Sequence, residues 1–194
     1  MIKTVIFDFD GTLADCKKLH QDGFRAAITK FHPEFEYDDE IVEGRPTREK
    51  IRILKTMGAI IDADQVNEFK QIHTQAHIPE YIIFKQELYD AIKYQFDRGI
   101  KICLATNATS EFINRSLDIM NIAQFFTKIN TATDFPSKPD TTTFIACMRH
   151  TGSAASTTVI FEDSPVGIQC ARATGATVVE VLDVEDTIKK IYLL

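Results

Sequence analysis

Thr4-Val5-Ile6-Phe7-Asp8-Phe9-Asp10-Gly11-Thr12 is the stretch on which the reading of this chain turns. Thr4 to Phe7 is short, apolar and β-rich, the composition of a strand buried on both faces of a parallel sheet. The run stops at two aspartates one residue apart. Open α/β sheets bind ligands outside the carboxyl ends of their strands, so Asp8 stands where chemistry is expected. Side chains at i and i+2 of an extended segment share a face, which lets Asp8 and Asp10 address one site. Two carboxylates so close repel unless a proton or a cation sits with them. An all-oxygen donor set suits a hard cation, and Mg²⁺ is the expected cofactor. Gly11 permits a sharp turn, and Thr12 can donate a hydrogen bond within it. The alternative is that the two aspartates merely cap a strand in a turn.

Outward from this strand, similar runs recur at Lys3 to Phe7, Ile100 to Ala105, Lys128 to Thr131, Thr158 to Phe161 and Thr177 to Leu182. Helical patterns lie between them, which predicts an α/β fold with a doubly wound, Rossmann-like parallel sheet and right-handed crossovers. The first two strands are much farther apart than one crossover helix needs. The gap holds helical patterns over Cys16 to Phe31, Thr47 to Met57, Asp62 to Ala76 and Gln86 to Arg98, with Pro33 ending the first. The last is the sheet's crossover helix. The others predict a small all-helical insert after the first strand. The expected division is a core of residues 1–14 and 85–194 and an insert of residues 15–84, with hinges near Ala14 to Lys17 and Ile78 to Phe84.

Three further stretches carry chemistry. Thr106-Asn107 follows the apolar run Leu104-Ala105 and precedes a helix from about Thr109, an arrangement that makes either a helix cap or an anion cradle. Lys138 precedes Pro139, so its backbone is expected to be extended; a lysine in such a loop is either a solvated charge or a point charge for phosphate. Val159-Ile160-Phe161-Glu162-Asp163-Ser164-Pro165 again ends a strand in acids. Pro165 suits the first turn of a helix, and the acids either stabilise that helix N-terminus or meet Asp8 across the sheet.

Composition narrows the partners. The chain has 194 residues, a formal net charge of -6 and 44% hydrophobic residues, enough for one core with a modest insert. The mild acidity argues against nucleic-acid binding, which needs a basic footprint. No apolar run approaches the roughly 20 residues of a membrane span. Cys16, Cys103, Cys147 and Cys170 show no close spacing, so a reduced, cytoplasmic protein is expected, with monomer and dimer both open.

In this order the four stretches resemble the haloacid dehalogenase superfamily, whose DxDGT signature stands here as Asp8-Phe9-Asp10-Gly11-Thr12, with Thr106-Asn107, Lys138-Pro139 and Glu162-Asp163 as the other motifs. The helical insert resembles the C1 cap of its β-phosphoglucomutase and phosphoglycolate phosphatase branch. The resemblance implies Asp8 as nucleophile, forming an aspartyl-phosphate, and Asp10 as general acid and then base. It implies phosphate contacts from Thr106, Asn107 and Lys138. Mg²⁺ would be held by Asp8, the backbone carbonyl of Asp10, Glu162 and Asp163. Asp10 speaks against carbon–halogen chemistry. His20, Arg45 and Arg48 match cap positions near the substrate in that branch; each is either a substrate contact or a structural or solvated side chain. His73 and His77, four apart, read as a surface pair. The cap lysine typical of the mutases has no counterpart around Phe69 to His77. The expected activity is therefore a Mg²⁺-dependent phosphatase of a small phosphorylated metabolite. The alternatives are a β-phosphoglucomutase-like sugar phosphomutase and a non-catalytic member that binds a phosphorylated ligand.

Overall fold

The computed structural model describes residues 1–42 and 47–194. In chain order the elements are β1 (Thr4–Phe7), α1 (Lys17–Phe31), α2 (Asp39–Val42), α3 (Thr47–Thr56), α4 (Ala63–Tyr81), α5 (Gln86–Asp97), β2 (Lys101–Ala105), α6 (Ser110–Ile119), β3 (Phe126–Asn130), α7 (Thr142–Thr151), β4 (Thr158–Glu162), α8 (Pro165–Ala173), β5 (Thr177–Glu180) and α9 (Val184–Ile191). The chain divides into two compact units, one of Met1–Asp15 with Ile82–Leu194 and one of Cys16–Tyr81.

The first unit is a five-stranded parallel sheet in the order β3-β2-β1-β4-β5. The chain winds outward from β1 to β3, then returns to the other side of β1 for β4. The strand order thus reverses between β1 and β4, the place where doubly wound sheets open a crevice. Register makes the crevice specific. Phe7 pairs with Leu104 on one side and Phe161 on the other. Asp8 and Glu162, each the next residue on, therefore leave the sheet at one level.

Alternation along the strands builds the two layers. Ile6, Cys103, Ala105 and Ile160 pack against Phe144, Cys147 and Met148 of α7 and Cys170 and Ala171 of α8. Val5, Phe7, Ile102, Leu104 and Phe161 occupy the alternate positions and are equally buried. On that side the Phe7 and Phe161 rings lie 4.9 Å apart. Each such side chain stabilises the fold by roughly 1.5–3 kcal/mol on burial, which is why these runs dominate the sequence signal. Helix α5 lies against β2, and Gln95 Nε2 donates to the Ile191 carbonyl of α9 at 2.5 Å.

The second unit is all helical. Phe24, Ala27 and Ile28 of α1 pack with Val42, Ile51, Leu54 and Val66. Helices α1 and α4 run close enough that a Cβ on Gly23 would stand 2.6 Å from Thr74 Oγ1. The unit differs from the sequence pattern in one instructive way. Helix α4 passes through Pro79 to Tyr81 instead of ending at Ala76. The Tyr81 hydroxyl donates to Asp22 Oδ2 of α1 at 2.5 Å, and Ile78 is fully buried. Pro79 falls in the last turn, where these tertiary contacts outweigh the one backbone bond it removes. Helices α2 and α9 were not apparent from periodicity alone.

Candidate active site

Asp8 extends the ladder beyond β1: its N–H donates to the Phe161 carbonyl at 3.0 Å. The chain then turns back. Gly11 N–H donates to Ala14 O at 2.8 Å, and Leu13 and Ala14 both donate to Phe9 O. Gly11 sits at φ 85°, a left-handed conformation that favours glycine. A Cβ there would also overlap the carboxylate of Asp163. Thr12 corrects one expectation. Its hydroxyl is buried with no hydrogen-bond partner among the described residues, so it does not brace the turn.

Four side chains meet at the crevice. Asp8, Glu162 and Asp163 place one oxygen each within 4.8 Å of the others. Lys138 Nζ lies 2.5 Å from Asp8 Oδ1 and 2.6 Å from Glu162 Oε2. The lysine side chain is only 3% exposed, and its ammonium faces the Phe144 ring at 4.8 Å, a favourable cation–π placement. Glu162 is fully buried at the end of β4. Its other oxygen, Oε1, accepts from the Ser164 hydroxyl at 2.9 Å and the Ser164 N–H at 3.2 Å. Ser164 is in turn the N-cap of α8, its Oγ accepting the Gly167 N–H at 3.1 Å.

The loop that carries Lys138 is held from β2. Lys138 N–H donates to Asn107 Oδ1 at 2.8 Å. The exposed Asn107 side chain, expected to contact phosphate, thus spends its acceptor oxygen on the lysine loop. Thr106 is buried beside it. Its N–H donates to Asn130 O at 3.1 Å, and its Oγ1 accepts from Ala108 N–H at 3.1 Å. The hydroxyl proton therefore remains available to donate. Asp10 is half-buried in the turn, and its charge is felt at Asp163.

One ammonium cannot balance three carboxyl groups, and burial makes that imbalance costly. Burial, reinforced by Glu162 and Asp163, raises the Asp8 carboxyl to about 8 against the pull of Lys138. Burial, then Glu162, raises Asp163 to about 6. The Lys138 ammonium is pushed up as well: Asp8 and Glu162 outweigh its desolvation. Excess negative charge in a dry site is the field a divalent cation would neutralise. Asp163 Oδ1 is moreover buried with no hydrogen-bond partner among the described residues. An all-oxygen set with an orphaned carboxylate oxygen fits Mg²⁺.

The substrate-facing expectations lie in the helical unit. His20, on α1, is half-buried, and burial with the charges of Lys70 and Lys50 lowers its pKa to about 3. It is held neutral. Arg48, on α3, is exposed. Arg45 lies outside the described residues. His73 and His77 stack at 4.0 Å, with His77 Nδ1–H donating to the His73 carbonyl at 2.7 Å. Ser164 and Gly167 were missed as contributors; a glycine in the first turn of a helix was the available signal.

A family model described as haloacid dehalogenase-like hydrolase matches residues 5–181. The chain belongs to this family. The matched span of this haloacid dehalogenase-like hydrolase includes every residue of the crevice. Curated relatives include a fructose-1-phosphate phosphatase of Escherichia coli (strain K12), 26% identical, covering 91% of this chain and 95% of the relative. Another is a phosphorylated carbohydrates phosphatase of Thermotoga maritima, 24% identical, covering 90% of this chain and 82% of the relative. Among solved structures, a β-phosphoglucomutase of Clostridium difficile superposes with a TM-score of 0.75 at 21% identity, over 96% of this chain and 87% of that one. At that identity the likeness speaks to the fold.

Proposed function

We propose that the protein is a Mg²⁺-dependent hydrolase of a small phosphomonoester, working through a phosphorylated Asp8. The observation that carries this reading is the meeting of Asp8, Glu162 and Asp163 around Lys138 at the reversal point of the sheet. Relatives named for phosphatases of phosphorylated carbohydrates support the substrate class. The helical unit, Cys16–Tyr81, serves as the cap that selects the substrate.

In the first step an Asp8 carboxylate oxygen attacks phosphorus and the bond to the leaving oxygen breaks. Asp10 gives its proton to that oxygen, so a neutral alcohol departs. In the second step Asp10 takes a proton from water, the water oxygen attacks phosphorus, and Asp8 leaves as a free carboxylate. Phosphoryl transfer develops charge on the equatorial oxygens. Lys138 Nζ answers it from a fixed position, since Glu162 and Asn107 hold its head and its loop. Thr106 donates its hydroxyl to a phosphoryl oxygen. Mg²⁺, held by Asp8, Asp163, the carbonyl of Asp10 and, directly or through water, Glu162, would neutralise the repulsion between the carboxylate and the phosphate dianion. A neutral His20 is suited to a substrate hydroxyl rather than to an anionic group.

The test is phosphate release from a panel of phosphorylated carbohydrates and p-nitrophenyl phosphate. Turnover with Mg²⁺, abolished by EDTA and by Asp8→Asn, is expected. Conversion of a sugar 1-phosphate to the 6-phosphate without free phosphate would replace this reading with the phosphomutase one. A phosphorylated ligand bound without turnover would replace it with the non-catalytic one.

A further inference from the structure

We propose that Gly167 is a positioning residue for the reaction: it omits a side chain so that the Glu162 carboxylate can rest on the first turn of α8 and hold Lys138 in place. An ideal Cβ built on Gly167 would overlap Cδ, Oε1 and Oε2 of Glu162. Nothing in the backbone asks for glycine here, because Gly167 is not among the residues with positive φ. It sits inside a helix, where glycine is the poorest former after proline. The space it leaves is therefore what it contributes.

That space is filled by a connected set of bonds. The Gly167 N–H donates to Ser164 Oγ, the Ser164 hydroxyl donates to Glu162 Oε1, and Glu162 Oε2 accepts from Lys138 Nζ, which also donates to Asp8. Both Glu162 oxygens are thus engaged, and a shift of the carboxylate breaks these bonds. A methyl group at position 167 would drive the carboxylate off the turn and leave Lys138 paired with Asp8 alone. Gly167 touches neither substrate nor the reacting atoms; it acts through Glu162 on the position of a charge.

The activity readout rests on the phosphatase reading above, so the experiment also carries two readouts that do not. Gly167→Ala is compared with the parent for unfolding midpoint, for acetylation of Lys138 mapped by mass spectrometry in metal-free protein, and for phosphatase kcat. The expected result is a lower midpoint, although alanine is the better helix former. Lys138 becomes more reactive, and kcat falls at least about tenfold, within the roughly hundredfold loss that a 1 Å misplacement can cause. Adding Glu162→Asp, which shortens the displaced acid by one methylene, restores the midpoint and Lys138 protection toward the parent. A raised midpoint with Lys138 still protected overturns the proposal, as does a Glu162→Asp effect that simply adds to that of Gly167→Ala. If Gly167→Ala does not fold, recovery of folding in the double variant supports the proposal and its failure to recover overturns it. A parent without phosphatase activity would sink the functional reading and leave the midpoint and acetylation results to decide the role of Gly167.

Discussion

Replacing Lys138 by Met in metal-free protein isolates the charge arrangement at the crevice. The methionine keeps the length and apolar stem of the lysine and removes only the ammonium. Contacts at 2.5 and 2.6 Å to Asp8 and Glu162 are each worth about 6 kcal/mol gross at an effective dielectric near 20. Desolvation of a side chain that is 3% exposed takes back much of this. Removing one partner of a buried pair then costs a net of about 3–5 kcal/mol, because the remaining charges stay behind. The Asp8 carboxylate left behind can escape part of that loss by taking a proton. The pH dependence follows. With Lys138 gone, Asp8, already raised to about 8 in the parent, loses the charge that pulls it down, so the folded variant keeps its proton to still higher pH, whereas the unfolded chain has released it above its ordinary carboxyl range near pH 4. The folded state then binds more protons, so stability falls as pH rises. The midpoint of Lys138→Met should therefore sit about 6–20 °C below the parent at pH 8, at 2–4 °C per kcal/mol for a chain of this size, and close to it at pH 5. Scanning calorimetry in EDTA measures this, with Lys101→Met, at an exposed position that opens β2, as the control. A variant that matches the parent at pH 8, or whose deficit is the same at pH 5 and pH 8, refutes the reasoning.

Other expectations concern neighbouring groups. Asn107→Ala removes the acceptor of the Lys138 N–H, so stability should fall by about 1 kcal/mol and kcat should fall with it in steady-state phosphate release. Gly11→Ala meets both a positive φ and the Asp163 carboxylate; it should unfold at lower urea and lose metal-dependent turnover, even at saturating Mg²⁺. His20 is held neutral, with its folded pKa lowered to about 3 from an ordinary 6.5. Its contribution to stability is complete above pH 6.5 and is lost as pH falls, by about 2–3 kcal/mol at pH 4.5. In His20→Asn, urea midpoints at pH 7 and 4.5 should lie closer together than in the parent.

What the sequence could reveal followed the strength of its physical signals. Strands β1, β2 and β4 were legible because each is a short apolar run, and Asp8 and Glu162 were legible because each ends one; β3, Phe126–Asn130, carries Thr127, Lys128 and Asn130 and begins two residues before the expected Lys128. Their meeting depends on register, Phe7 against Phe161, which no local pattern encodes. The continuation of α4 past Pro79 depends on Tyr81 reaching Asp22, a contact 59 residues apart. Helix α9 was legible in principle: Asp183 caps it by accepting from Asp186 N–H at 2.8 Å, with acids in its first turn and Lys189 and Lys190 in its last. Its eight residues were too few for periodicity to stand out. Asn107 and Ser164 illustrate a different limit. Their residue types announced hydrogen bonding, but the choice of partner, the Lys138 loop for one and Glu162 for the other, exists only after folding.

The central claim is that Asp8 itself carries the phosphoryl group during turnover. Acid quenching of the enzyme in the presence of Mg²⁺ and an accepted phosphomonoester, followed by borohydride reduction and peptide mapping, tests it directly. Conversion of Asp8 to homoserine, dependent on substrate and on no other carboxylate, is the predicted result. Full turnover with Asp8 recovered unmodified at every quench time would contradict the account.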